Sequence, residues 1–564
     1  MTRTIEVTKT MNARRESREG GEAAVFHRGK KLLLAALMLF LGVLWAGTSP
    51  AAPEQVTGVV FRDSNRNGVR DTDEEGIAGV AVTNGQQVTR TERDGSYSLP
   101  TREPMTVSVV KPAGYRVPVD DQNVPQFHYI HMPEGTPEHV QQYPGIEPTG
   151  SLPDSLDFPL YRAENKKEFR ILVLGDLQPT NHREVTYLRE VVAEELNEAE
   201  GAFAIALGDI VGDTLSLYPR VQKVMGRMGL PVYYVPGNHD ANMDAKGREH
   251  QHDTFMRTFG PTHYSFNVGK VHFVVLNSVE WNGENYRGKL GDRQLRWLRN
   301  DLSVVPEDHL IVLNMHIGLL GWYDGVKGPA GVSDRRKLYE IVKGRDVLAL
   351  VGHSHVVELF ETGDSVPGWR PRTPEDGSET LPFPQIHAGA LCGGWWSGPA
   401  DESGVPLSYQ KDGSPKGYMV FTFNGTEYSA RYRAAGRPKD RSMHVSLDYP
   451  NRDYARLAGV LSPERADKTS IVVNFFCGSQ NSPVWFRVDD GPRVQMERSP
   501  RAVDPFGRRA ADERVHPVRA MHVWKADLPD DLALGTHIIR VTARDMFGQP
   551  HHGTKLVEIS SAQH

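Results

Sequence analysis

Two cysteines, Cys392 and Cys477, are all that a chain of 564 residues carries. So few exclude a disulfide scaffold, and spacing alone does not make the two a pair. An excess of positive charge is also lacking. Lys and Arg number 65 against 71 Asp and Glu, and the formal net charge is -6. Phosphate-backbone binding is driven by clustered Lys and Arg, so nucleic acid is not expected as a partner. Long apolar runs are missing apart from Leu32–Trp45, which falls short of the ~20 residues of a spanning helix. Basic residues from His27 to Lys31 precede that run and small residues from Ala46 to Ala52 follow it, the order of a secretory signal. Residues 1–52 therefore read as a signal peptide. The mature protein is expected to be exported, to periplasm, cell surface or medium, with no stable transmembrane span.

What is present is ordinary for a globular protein, with 39% hydrophobic and 24% charged residues. At ~150 residues per domain the length suggests three or four domains. Residues 53–166 open with short β-rich runs (TGVVF, GIAGVAVTN, TVSVV) broken by Gly, Asp and Asn, which read as a small antiparallel β domain. Between its first two runs lies a calcium-loop pattern: Asp63, Asn65, Asn67, Asp71 and Glu74 at positions one, three, five, nine and twelve, with Gly68 at the sixth. No helical pattern flanks it, and it resembles the B-type repeats of bacterial surface adhesins. A Ca2+ ion there would stiffen the loop; the plain alternative is a polar hairpin. The Pro-rich stretch from Arg116 to Lys166 reads as an irregular extension draped on its neighbours, with His128, His131 and His139 in surface or packing roles.

Residues 167–436 alternate strand and helix patterns, and five polar clusters stand where apolar runs end. They are GDLQ (Gly175 to Gln178), GDIVGD (Gly208 to Asp213), GNHD (Gly237 to Asp240), NMH (Asn314 to His316) and GHSH (Gly352 to His355). Open α/β sheets place their sites at such strand ends. Helices are expected at Arg183 to Ala199, Leu217 to Met228, Asp292 to Leu302 and Asp334 to Gly344. Some strands follow one another without a helix, so two packed sheets are expected. From about Met443 the pattern becomes short strands and turns, and residues 437–564 read as a C-terminal β-sandwich.

The five clusters in this order resemble the calcineurin-like metallophosphoesterases. The flanking β modules resemble the accessory domains of a secreted branch of that family. The resemblance implies an α/β/β/α two-sheet sandwich flanked by all-β domains, and two divalent metal ions of the Mn, Fe or Zn kind. It implies that Asp176, Gln178, Asp209 and His355 hold the first ion, and that Asp209, Asn238, His316 and His353 hold the second, Asp209 bridging. His239 would assist the leaving group, with Asp240 orienting its ring, while a metal-bridging hydroxide attacks phosphorus. Most members have His where Gln178 stands, and the neutral amide leaves metal identity open.

The expected substrate is a small phosphorylated molecule, a phosphomonoester or a phosphodiester. The rival reading is a cell-surface binding or adhesion protein with an inactive central domain. Trp395 and Trp396, beside a Gly pair, are candidate substrate contacts, with core packing as the alternative. Tyr418 and Asp412 are weaker candidates. Asp213 reads as a helix N-cap, and His263, His272, His309, His387, Gln294 and Trp297 as structural.

Overall fold

The computed structural model describes residues 55–197, 199–281, 285–321, 331–365, 380–449, 459–500, 502–510 and 515–561. The signal expected at 1–52 lies outside them. Among the described residues no helix is long and apolar enough to cross a membrane.

Two sheets lie at the centre. The five-stranded one is ordered Val232–Tyr234, Phe203–Ala206, Glu168–Leu174, Gly417–Asn424, Glu427–Ala434. Its first three strands are parallel, and the last two join antiparallel from far down the chain. The six-stranded sheet is ordered Tyr264–Val268, Val271–Leu276, Leu310–Met315, Val347–Val351, Gln385–Ala388, Val357–Phe360. Ile171 to Leu174 and Val347 to Val351 are apolar without alternation because both faces of these strands are covered. Between the sheets, Tyr233 stacks on Phe266 at 4.0 Å and Phe169 meets Phe273 edge-on at 6.3 Å. Outside the first sheet lie the helices His182–Val191 and Tyr218–Met225, the former started by Asn181, whose side chain accepts from Arg183 N and Glu184 N. Outside the second lie Asp292–Leu302 and Arg335–Val342, which bury Leu295, Leu298, Leu302 and Leu338. The α/β/β/α order is thus present. The expected helix from Arg183 to Ala199 is shorter as an α-helix, ending at Val191 and passing into a wider turn over Val192–Leu196.

Each flank is a pair of packed sheets. On the N-terminal side one sheet runs Ser96–Pro100, Gln55–Arg62, Phe158–Arg162, Tyr115–Arg116, and the other Val88–Arg90, Ala81–Thr83, Met105–Val109, His128–His131. The stretch read as irregular therefore supplies two strands, His128–His131 and Phe158–Arg162, the second with Pro159 inside it. On the C-terminal side the sheets run Met443–Asp448, Ser470–Phe475, Val523–Asp527, Glu497–Arg498 and Val460–Leu461, Pro550–Ile559, Gly535–Arg544, Val484–Val488, Val494–Gln495. Cys392 and Cys477 are buried and free.

The seam between the N-terminal sheets and the centre holds a buried lysine. Lys111 pairs with Phe266 in a parallel bridge, and its carbonyl accepts from Asn267 N at 2.8 Å. Its ammonium donates to the carbonyls of Asn267, of Tyr115 at 3.3 Å and of Pro112 at 3.4 Å. Burial, with a smaller push from Arg116, brings its pKa down to about 7. The unfolded chain keeps the ordinary ~10.4. The cost of burying the charge is therefore present in full below pH 7, and it is relieved as pH rises from 7 towards 10.4. Urea-unfolding stability of the wild type minus that of Lys111→Met is expected to rise across this window. A flat difference would show that the ammonium is not desolvated.

Candidate functional site

All five polar clusters sit at the C-terminal ends of strands, three on one sheet and two on the other. Asp176 and Gln178 follow Glu168–Leu174, Asp209 follows Phe203–Ala206, and Asn238 follows Val232–Tyr234. His316 ends Leu310–Met315, and His353 and His355 follow Val347–Val351. The chain turns sharply at each: φ is +29° at Asp176, +42° at Gln178, +50° at Asp209, +71° at His353 and +53° at His355. Left-handed backbone at bulky residues costs on the order of 1–3 kcal/mol each and persists only where the surroundings hold it. Two glycines permit the approach. A Cβ on Gly237 would lie 2.1 Å from Asp209 N, and one on Gly352 2.9 Å from Asp176 Oδ2.

Asp209 is the centre of the cluster. Its Oδ2 is 3.2 Å from His316 Nε2, 3.4 Å from Gln178 Nε2 and 3.9 Å from His239 Nε2, while its Oδ1 accepts from His239 N at 2.9 Å. Asp209, His316 and His353 offer donor atoms all within 4.8 Å of one another, and among the described residues this is the one such group of His, Cys, Asp or Glu. His316 Nε2 also meets Asn238 Oδ1 at 3.0 Å and His353 Nδ1 at 3.2 Å. On the other side, Asp176 Oδ2 accepts from His353 N at 2.9 Å, and its Oδ1 is 3.4 Å from His355 Nε2. That Oδ1 is buried and makes no hydrogen bond, an arrangement costly for a carboxylate unless a cation faces it. The imidazoles are oriented from behind: His316 Nδ1 meets Leu207 O at 2.8 Å, and His355 Nδ1 meets Gly393 O at 2.6 Å. Backbone carbonyls in those places hold the Nδ1–H tautomer, leaving Nε2 as the donor atom, the arrangement seen behind metal-ligating histidines. Burial raises the Asp209 carboxyl, but His316 and His239 more than reverse this and hold it well below the carboxylate range. Burial lowers His316, but Asp209 outweighs it and brings its pKa up to about 9.

The expected partner of His239 is corrected. Asp240 is fully buried and turns away, accepting from Gly237 N at 2.8 Å, Ile210 N at 3.1 Å and the Tyr218 hydroxyl at 2.9 Å. Its geometry braces the GNHD turn. The carboxylate on the His239 ring is Asp213, whose Oδ1 is 2.6 Å from Nδ1. Asp213 is not a helix cap: the α-helix starts at Tyr218, and φ at Asp213 is +66°. The second Asp of GDIVGD was the available signal, and the left-handed turn that swings it over the site is invisible in the sequence. Burial lowers the His239 pKa, but Asp209 and then Asp213 outweigh it and bring it up to about 9.

The tryptophan pair divides. Trp396 is corrected to a core residue: it is 2% exposed, its indole N–H donates to Leu177 O at 2.9 Å, and it packs beside Tyr187. Trp395 is half-buried and stacks on His355, with ring centroids 4.4 Å apart. Tyr418 and Asp412 are likewise corrected from contact candidates to buried residues. His387, behind the GHSH turn, meets Ser354 Oγ at 2.9 Å; His272 pairs with Asp301 at 2.8 Å; Gln294 accepts from Asn277 N. In the N-terminal loop Asp63 accepts from Arg66 N and Gly68 N, Asn65 and Asn67 donate to Asp71, and Glu74 accepts from Ser64 N. The side chains fold inward on one another, held by the loop's own donors.

Profiles of the calcineurin-like phosphoesterases match in three consecutive stretches. The N-terminal part of the family matches residues 64–142, the phosphoesterase domain 169–357 and the C-terminal part 386–551. A serine/threonine-protein phosphatase CPPED1 from Pongo abelii is 35% identical over 102 residues, 18% of this chain and 32% of that protein. A probable cyclic nucleotide phosphodiesterase from Rhodococcus erythropolis is 28% identical over 136 residues, 24% of this chain and 43% of that one. The chain thus spans less than half the length of these relatives. A purple acid phosphatase from yellow lupin seeds aligns over 63% of this chain and 67% of its own at 13% identity, with a TM-score of 0.32.

In the metal-free protein, imidazole NMR is expected to show His239 protonated through neutral pH, titrating near 9. Asp213→Asn removes an anion that favours the imidazolium and is expected to move that titration towards the ordinary ~6.5. Asp240→Asn is expected to cost on the order of 1–3 kcal/mol of stability, because buried donors lose a charged acceptor. If Asp240→Asn moved the His239 titration more than Asp213→Asn, the assignment of Asp213 would be wrong.

Proposed function

This chain belongs to the calcineurin-like phosphoesterases, and from that premise we propose that it is an exported hydrolase of phosphoric esters with a dinuclear metal centre. The observation that carries this reading is the buried Asp176 Oδ1 without a hydrogen bond, beside an Asp209 carboxylate shared by two sets of donors. The residues fit two cations: Asp176, Gln178, Asp209 and His355 for one, Asp209, Asn238, His316 and His353 for the other. Cations bound there acidify a water and neutralise phosphoryl oxygens.

The remaining work falls to the chain. Asp209 is held between both donor sets by His239 N and by its place at the strand end. His239, anchored through Nδ1 to Asp213, turns Nε2 towards the Asp209 carboxylate and leaves its side chain 29% exposed. From there Nε2–H is the proton donor to the departing ester oxygen, and Asp213 keeps the ring protonated and in line. Gln178, whose Nε2 faces Asp209 in this structure, would offer a cation its neutral amide oxygen only with the amide turned over, so its metal position is the weaker one. The matched relatives are named as a protein phosphatase and a probable cyclic nucleotide phosphodiesterase, so monoesters and diesters are both candidate substrates. The loop from Asp63 to Glu74 is read as a separate Ca2+ site of structural purpose.

Purified mature protein is expected to carry about two transition-metal ions per chain and to hydrolyse aryl phosphate esters. Asp209→Asn is expected to lose metal and activity together. His239→Ala is expected to keep its metal and lose roughly 10²–10⁴-fold in kcat. Wild-type protein with neither metal nor hydrolysis after Mn or Fe is added would instead favour the binding-protein reading. An N-terminus beginning near Pro53 is the expected mark of export, and protease resistance of the N-terminal loop that rises with Ca2+ and falls with chelator is the mark of the calcium site.

A further inference from the structure

The imidazoles of the centre are not equally covered. His316 and His355 are buried, whereas His353 and His239 are half-buried. The centre is therefore open at these two rings. Edge-on to His353, with ring centroids 5.6 Å apart, stands Tyr286. It is 41% exposed, the one exposed Tyr, Trp or Phe among the described residues. The aromatic ring left in water thus lies against an imidazole of the metal cluster.

Tyr286 is carried by a two-stranded hairpin, Val279–Trp281 paired antiparallel with Tyr286–Gly288. Such a hairpin is marginal in water by itself, and this one is tied down along its length. Ser278 Oγ accepts from Ile317 N at 2.8 Å, one residue past His316. Gln251 Oε1 accepts from Trp281 N at 3.2 Å, while Gln251 O accepts from Asn242 N at 2.7 Å, two residues past Asp240. Gly288 O accepts from Ser333 N and Ser333 Oγ, both at 2.9 Å. Glu280 and Arg287, opposed in the pairing, form an ion pair that Lys289 joins at 3.0 Å and Arg248 at 3.6 Å. Successive residues of a strand point to opposite faces, so the Glu280–Arg287 pair lies on the face away from Tyr286. The hairpin is thus braced against two of the turns that carry the metal cluster, and it holds an exposed ring in a fixed place. Packing on His353 uses one side of that ring. The side left in water is free to receive apolar surface, and covering it on binding is favourable.

Resting on the phosphoesterase reading, we propose that Tyr286 determines substrate specificity, its exposed ring being the surface on which the organic group of the ester lies. The class it favours is a phosphoric ester whose alcohol carries a flat aromatic ring close to phosphorus. Aromatic pairs gain beyond the area they bury, and a tyrosine face stacks on flat rings with little regard to their hydrogen-bonding pattern. A ring already held in place by its hairpin loses little freedom when it stacks. A positively charged alcohol is the poorer fit, because Arg287, Lys289 and Arg248 outnumber Glu280, the acid they share.

The test uses the full chain loaded with Mn and two probes, phenylphosphonate and methylphosphonate, which share a charged head and differ in the ring. Binding is read by isothermal titration calorimetry beside metal content and melting temperature. Wild type is expected to bind phenylphosphonate about tenfold or more tighter than methylphosphonate, the worth of one stacked ring. Tyr286→Ala is expected to lose most of that preference, with methylphosphonate affinity, metal content and melting temperature unchanged. Tyr286→Trp is expected to keep the preference, because it restores a stacking face. A preference that survives in Tyr286→Ala would overturn the inference. So would loss of metal, or an equal fall in affinity for both probes, either of which would make Tyr286 a support for His353 instead. A wild type that binds metal and both probes equally well sinks this inference alone. A wild type that binds neither metal nor probe sinks the phosphoesterase reading with it.

Discussion

The structure depends on keeping two carboxylates, Asp176 and Asp209, in a dry place at the meeting of two sheets. Burying a carboxylate is expensive unless positive charge and donors face it. His316, His239 and Gln178 surround Asp209, while one oxygen of Asp176 is left without a hydrogen bond. The flanking imidazoles are in turn held by carbonyls of Leu207 and Gly393. The left-handed turns at Asp176, Gln178, Asp209, His353 and His355 follow from the same demand, because a strand must stop and reverse at once for its next side chain to point across the gap.

The two sheets meet through aromatic rings, with Tyr233 against Phe266 and Phe169 against Phe273. Such an interior resists sliding because it is packed to the density of a crystal. A slip between the sheets would separate Asp209 from His316, which come from different sheets and stand 3.2 Å apart. The core is thus a geometric requirement of the site as well as a source of stability. The C-terminal sandwich extends that requirement outward, because Asp412 ties His522 of the sandwich to Val357 beside the GHSH turn.

Much of this was legible in the residues. Gly-Asp and Gly-His pairs after apolar runs marked the strand ends, and strands covered on both faces announced themselves by unbroken Val, Ile and Leu. The helix Asp292–Leu302 has the expected bounds because Leu295, Leu298 and Leu302 recur at helical spacing. The strands Gly417–Asn424 and Glu427–Ala434 were readable as strands, but their place beside Glu168–Leu174 was not, since pairing across so long a separation leaves no local mark. Phe158–Arg162, in a Pro-rich stretch, is a strand because Gln55–Arg62 and Tyr115–Arg116 pair with it from either side.

The site shows the same division at finer grain. By itself the sequence determined which residue types were available and where strands would present them, since hydrophobic periodicity and turn-forming residues are local properties of the chain. Only the tertiary structure decided which of two aspartates, Asp213 or Asp240, meets His239, and which of two tryptophans faces the site. Which way each side chain faces is set by contacts with residues distant in the chain: Tyr218 and Ile210 for Asp240, Leu177 for Trp396 and His355 for Trp395.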